Sequence, residues 1–267
     1  MVRRSFLAVL AIGIIGCSAQ DEPQPTPSAQ VAASRDSARP DGRALVASAL
    51  AAHGEVALHR LKAGHVSLIT RGFVAPGYED AITTVSTFQF PDRLRESVDH
   101  ATTTLKAVRR LYVRSGDRAW EREGDGPWSA TTTLRPIEAL YPLQLITELR
   151  ELRDKGFSLD RGKDELYGGR TLAVVHISRG AGSLASVAFD AETKLVAKVT
   201  TITPNPKSGR TGVSETRYSD YRSYAGLMLP TTMVCHLDGE KFVENTLQEF
   251  RVLDDVDAGE FVPGKLQ

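Results

Sequence analysis

Between residues 65 and 253 the apolar residues of this chain recur at every second position, and one helical block interrupts them. Period two marks half-buried strands, so the body of such a chain folds around a β-sheet. His65 to Gly72 reads as a strand, and so does Ala81 to Phe90, with Ile82, Thr84, Ser86, Phe88 and Phe90 on one face. Leu94 to Val98, Leu105 to Val113 and Arg118 to Arg122 follow, the last two joined by turn chemistry at Ser115-Gly116-Asp117. Glu123 to Pro127 is a second turn, leading to Trp128. Strands resume at Phe157 to Leu159, Arg170 to Ser178, Ala185 to Asp190 and Leu195 to Ile202, then at Val213 to Tyr221, Thr231 to Leu237 and Lys241 to Leu253. Asp190 to Lys194 and Leu237-Asp238-Gly239-Glu240 carry hairpin signals.

The interruption runs from Leu134 to Lys155. Leu134, Ile137, Leu140, Tyr141, Leu145, Leu149 and Leu152 fall mostly three or four apart, which is helical spacing. A proline inside a helix removes a bond and clashes with the preceding turn, so Pro142 predicts two short helices, with itself in the first turn of the second. Near the start of the domain Asp41 can cap a helix carrying Leu45, Ala49 and Ala52 and ending at Gly54. A shorter helical turn is expected over Val56 to Leu61. The order helix, meander, helices, meander contains no βαβ alternation, so the expected class is α+β, mainly β, with an antiparallel sheet.

Upstream the chain changes character. Arg3 and Arg4 precede an apolar run, Phe6 to Ile15, that is too short to span a bilayer and matches an export signal. Ile14-Ile15-Gly16-Cys17 resembles the bacterial lipobox, in which cleavage precedes a cysteine that carries lipid. On that reading residues 1–16 are the signal and Cys17 is the lipid attachment site; the alternative is an ordinary secretory signal with a chance cysteine. Ser18, where retention in the inner membrane favours Asp, leans toward the outer membrane. Residues 17–41, rich in Pro, Ser and Ala, have no hydrophobic period and read as a flexible tether. Residues 42–267 then form a single domain. The second cysteine, Cys235, shares a strand face with Met233 and Leu237 and reads as a small buried hydrophobe, the alternatives being a reactive thiol or an intermolecular disulfide.

The chemistry-bearing residues point away from catalysis. The 33 basic and 33 acidic residues balance, leaving no excess positive charge for nucleic acid. None of the six histidines stands at the helical spacing of a metal pair, and no nucleophile elbow or phosphate loop occurs. No enzyme activity, metal or cofactor is expected. Each Asp and Glu reads as a solvated surface charge.

The C-terminal third carries a resemblance. Ala188-Phe189-Asp190-Ala191-Glu192-Thr193-Lys194-Leu195-Val196 is followed by Tyr218-Ser219-Asp220-Tyr221-Arg222 and by Gly226-Leu227-Met228-Leu229-Pro230. With Ala47 to Leu61, Phe90-Pro91-Asp92-Arg93-Leu94-Arg95 and Ser115-Gly116-Asp117-Arg118-Ala119-Trp120, this order resembles the LolA/LolB-type lipoprotein-carrier superfamily over most of residues 42–262. In their own right Leu227 and Leu229 read as core, Pro230 as the start of the last hairpin, and Tyr218, Tyr221 and Tyr224 as packing on the sheet.

The resemblance implies a strongly curved, incomplete barrel with helices covering its open side and an apolar cavity for acyl chains. The Leu134 to Lys155 helices would be its lid. Phe88, Leu145, Leu149, Met233 and Leu237 are the candidate lining residues, each otherwise ordinary core. The implied function is a monomeric envelope lipoprotein, anchored at the outer membrane and facing the periplasm, that binds lipoproteins or acylated lipids. The alternatives are an RseB-like sensor that binds a protein partner, and a structural surface lipoprotein with a filled core.

Overall fold

A computed structural model describes residues 41–264, apart from 76–77, 102–107, 181 and 207. The expected signal, Cys17 and nearly all of the tether lie outside the described residues, as do Leu105, Lys106 and Ala107 of one expected strand.

The domain opens with helix α1, Gly42–His53. The Asp41 carboxylate accepts a hydrogen bond from Ala44 N–H at 2.7 Å, satisfying one of the donors left open at a helix start. Gly54, at φ 87°, ends α1 in the left-handed conformation that glycine adopts without a Cβ penalty. A Cβ there would also lie 2.0 Å from the Gly226 carbonyl oxygen, so glycine lets the helix corner rest on the turn before a late strand. Helix α2, Glu55–Arg60, follows directly.

Six strands come next: β1 Ala63–Ala75, β2 Tyr78–Gln89, β3 Arg93–Ala101, β4 Val108–Ser115, β5 Arg118–Glu123 and β6 Ser129–Thr131. A 3-10 turn, Ile137–Ala139, leads into helix α3, Leu143–Asp154. Eight strands complete the sheet: β7 Ser158–Arg161, β8 Glu165–Tyr167, β9 Arg170–Arg179, β10 Gly182–Asp190, β11 Val196–Pro204, β12 Thr211–Tyr224, β13 Leu227–Leu237 and β14 Glu240–Leu253. All belong to one antiparallel sheet in the order β6-β5-β4-β3-β2-β1-β14-β13-β12-β11-β10-β9-β7, with β8 also on β9. The two meanders therefore join at β1 and β14, where Val66 faces Phe250 and Thr70 faces Asn245. The outer strands β6 and β7 do not pair with each other, so the strongly curved sheet stays open as an incomplete barrel.

The helices lie against the inner face. Leu45, Val46, Ala49 and Leu50 of α1 and Leu145, Ile146, Leu149 and Leu152 of α3 share one buried cluster with Val66, Phe88, Leu94, Val175, Val187 and Phe189 of the sheet. Tyr218, Tyr221 and Tyr224 join this packing. On the other face a 3-10 turn, Ala258–Phe261, lies against β3 and β4, with Phe261 buried.

Three local expectations change. The block from Leu134 holds one 3-10 turn and one α-helix, and Pro142 is the N-cap of α3 instead of a first-turn residue. There its missing N–H belongs to the set that has no helical partner anyway. Pro230 lies inside β13, whose first residue is Leu227. Pairing with β14 begins only at Thr232, so one side of β13 is free at the proline and the sheet tolerates it. The short strands β6 and β8 were not anticipated, because three residues are too few to display a period.

Candidate functional site

Helix α3 packs its apolar face on the inner side of the sheet. Its leucines at 145, 149 and 152 make one apolar stripe, while Arg150, Glu151, Arg153 and Asp154 fall on the remaining surface. Both ends are held. Tyr141 Oη, just before the helix, donates to the Pro230 carbonyl at 2.8 Å. At the far end Arg153 pairs with Glu55 at 2.7 Å, and Arg43 Nη1 donates to the Arg153 carbonyl at 2.9 Å. The segment leading to α3 is stapled as well. Arg135 pairs with the buried carboxylate of Glu96 and stacks on Tyr112, 4.5 Å from its ring centre. Tyr112 Oη in turn donates to the Thr133 carbonyl at 3.0 Å.

Between α3 and the sheet lies a slot. Leu145, Glu148, Leu149 and Leu152 form its roof, and Ile177, Ala185, Val187 and Val199 of β9, β10 and β11 form its floor. Its volume is about 20 Å³, room for about one water molecule. The sequence suggested a cavity ready for an acyl chain, and this slot is too small for one. The reason is direct: the α3 leucines themselves occupy the space over the floor.

Glu148 is the polar exception. Gln144 Nε2 donates to its carboxylate at 2.8 Å. No cation among the described residues pairs with it. Burial, with a smaller contribution from the negative charge of Glu151, pushes its carboxyl up from the ordinary 4.5 to about 7. On β12, burial and then the Glu148 carboxylate drive the Tyr218 phenol well above its usual range. Displaced ionisation of this kind gathers where a protein handles ligands or protons.

Of the five residues singled out in the sequence, Phe88, Leu145, Leu149 and Met233 share the main core and Leu237 does not, but only two reach the slot. Leu145 and Leu149 line the slot. Phe88 is fully buried, edge-on to Phe90 at 5.6 Å, in the β1–β3 half of the sheet. Met233 belongs to the main core, where Asn245 Nδ2 donates to its sulfur at 3.8 Å. Leu237 sits in a separate small cluster with Cys235, Phe242 and Val243. Period two put Phe88, Met233 and Leu237 on buried faces without saying how far along the sheet they lie from α3. Glu148 was passed over as a surface charge, although its place between Leu145 and Leu152 on the helix already turns it inward.

No family model matches the chain, and no curated protein matches it in sequence. Solved structures do match. A DUF1329 family protein from Desulfovibrio piger is similar over 85% of this chain and 99% of its own, with a TM-score of 0.52 at 12% identity. A LolA superfamily protein from Nitrosomonas europaea is similar over 84% and 98%, with a TM-score of 0.50 at 11% identity. An outer membrane lipoprotein-sorting protein domain from Vibrio parahaemolyticus covers 81% and 97%, at a TM-score of 0.47 and 13% identity. At such identities the likeness is one of fold alone, the fold that this LolA superfamily protein shows.

Proposed function

We propose that this chain, built on the LolA-type fold, is an envelope lipoprotein that binds the acyl chains of lipids or lipoproteins between α3 and the inner face of its sheet. The observation that carries the reading is the α3 slot: apolar on both walls apart from Glu148, and roofed by one helix on an open sheet. Binding is an exchange. When α3 lifts, Leu145, Leu149 and Leu152 leave the floor and an acyl chain replaces them, so little apolar surface is exposed overall. Each methylene buried contributes about 0.8 kcal/mol, enough to hold a chain by its length without covalent chemistry. Gly156, at φ 68° with nothing near its Cβ position, supplies a joint behind the helix. Cys17 would supply the anchor and residues 18–41 the reach.

The test is native mass spectrometry of the chain carrying Cys17→Ser, purified without detergent, before and after exposure to phospholipid and triacylated peptide. Bound acyl species are expected. Ala185→Phe, whose ring overfills the slot from its floor, is expected to remove them at a cost of about 1–3 kcal/mol in stability, with circular dichroism confirming that the sheet still folds. A clean apo mass under all conditions would sink the reading, and undiminished binding in Ala185→Phe would move the site elsewhere.

A further inference from the structure

The slot has one polar wall group, and nothing in the fold requires it. Glu148 stands on the inner stripe of α3 between leucines, where an apolar residue would pack. Its only hydrogen-bond partner among the described residues is Gln144, one turn back on its own helix. The charge that acts on it is the carboxylate of Glu151, of the same sign and itself paired with Lys155 at 2.6 Å. A carboxyl withdrawn from water without a cation is costly to ionise, and a structure that keeps one has an uncompensated negative site. The surrounding walls, Leu145, Leu149, Ile177 and Val187, offer no donor that could receive an anion.

We infer that the slot selects its acyl ligand by the polar end: it takes a chain bearing a protonated amine, whose N–H groups pair with Glu148, and rejects chains ending in phosphate, sulfate or carboxylate. The inference rests on the acyl-binding reading above. Charge complementarity in a water-poor slot gives an ammonium more than it would gain in solvent, because the fold has already desolvated Glu148 and only the ammonium loses water on entry. An anionic head meets the Glu148 carboxylate and finds no compensating donor on the slot walls, and Lys155, past the end of α3, is already paired with Glu151 at 2.6 Å. With its carboxyl poised at about 7, Glu148 can ionise when a cation arrives and stay neutral when none does.

The experiment is displacement of a neutral naphthylamine probe from the full chain carrying Cys17→Ser, at pH 8. Dodecylammonium, dodecanol and dodecyl sulfate serve as competitors, the two ions below their micelle concentrations and dodecanol below its solubility limit. Dodecylammonium is expected to displace the probe at a concentration about tenfold or more below that of dodecyl sulfate, with dodecanol between. Glu148→Gln is expected to bring the three to within about twofold of one another. Equal displacement by the three heads on the unsubstituted site overturns the inference, as does a preference that survives Glu148→Gln. If dodecanol and the other two all fail to displace, or the probe does not bind, the acyl-binding reading falls and takes this inference with it.

Discussion

His53 shows how much a single ring can be asked to do. It is fully buried at the end of α1, with Nδ1 2.9 Å from the Met228 carbonyl and Nε2 accepting from Val196 N–H at 3.2 Å. The two bonds set the tautomer: Nδ1–H donates and Nε2 accepts. Tyr221 stacks edge-on at 5.4 Å and donates its own hydroxyl to the Val196 carbonyl at 2.7 Å. A second ring proton would point at the Val196 N–H, so the ring stays neutral, and burial pushes its pKa down from 6.5 to about 4. A lowered histidine pKa contributes stability that is complete above 6.5 and drains away as pH falls toward 4, about 3 kcal/mol in all. Urea unfolding should therefore show the unsubstituted chain losing its advantage over His53→Asn by about that amount between pH 7 and 4. A constant gap would refute the assignment. In the sequence His53 stands in the Ala-His-Gly of the Ala47 to Leu61 stretch, at no helical spacing for a metal pair. Its role became visible once Met228 and Val196, far away in the chain, arrived at its two nitrogens.

At the scale of elements, the acyl-binding proposal asks α3 to lift despite its tied ends, and on that proposal pH should bias the step. Glu148 is held at about 7 in the docked helix but returns to about 4.5 once the helix lifts into water. The docked form thus keeps a proton that the lifted form loses between these values. Lifting should become about tenfold easier per pH unit from about 5 to 7 and level off above. Few other ionisable groups bear on Glu148: Glu151 on its own helix and the phenol of Tyr218 on β12. The floor strands present only Ile177, Ala185, Val187 and Val199. Hydrogen exchange of the α3 amides, corrected for intrinsic base catalysis, is the measurement, and Glu148→Gln should flatten the profile. A profile equally steep in both chains would exclude Glu148 as the cause. The existence of α3 was legible from its leucine spacing, and its start near Pro142 from proline chemistry. That its leucines fill the space beneath was not, because spacing says which face is apolar and nothing about how closely the facing sheet lies.

For the whole molecule, the acyl-binding proposal requires the domain to work at a membrane, and that requirement falls on Cys17. Cys17→Ala should shift the protein from the membrane pellet to the soluble envelope fraction without altering the folded domain. Retention in the pellet would argue for a different anchor. What the sequence determined by itself is local: an antiparallel, mainly β domain, the capped helix after Asp41, the hairpins at Asp190 and Asp238, and the buried face that holds Met233, Cys235 and Leu237. These follow from period, turn chemistry and capping, which act over a few residues. Only the tertiary structure decided that β1 would pair with β14, that the edges β6 and β7 would stay apart, and that α3 would settle over β9 to β11. It also decided that Glu148 would be turned, half-buried, toward the sheet among the leucines. Such outcomes depend on which distant surfaces bury each other best. That choice is made by packing across the whole chain, and no short stretch of residues records it.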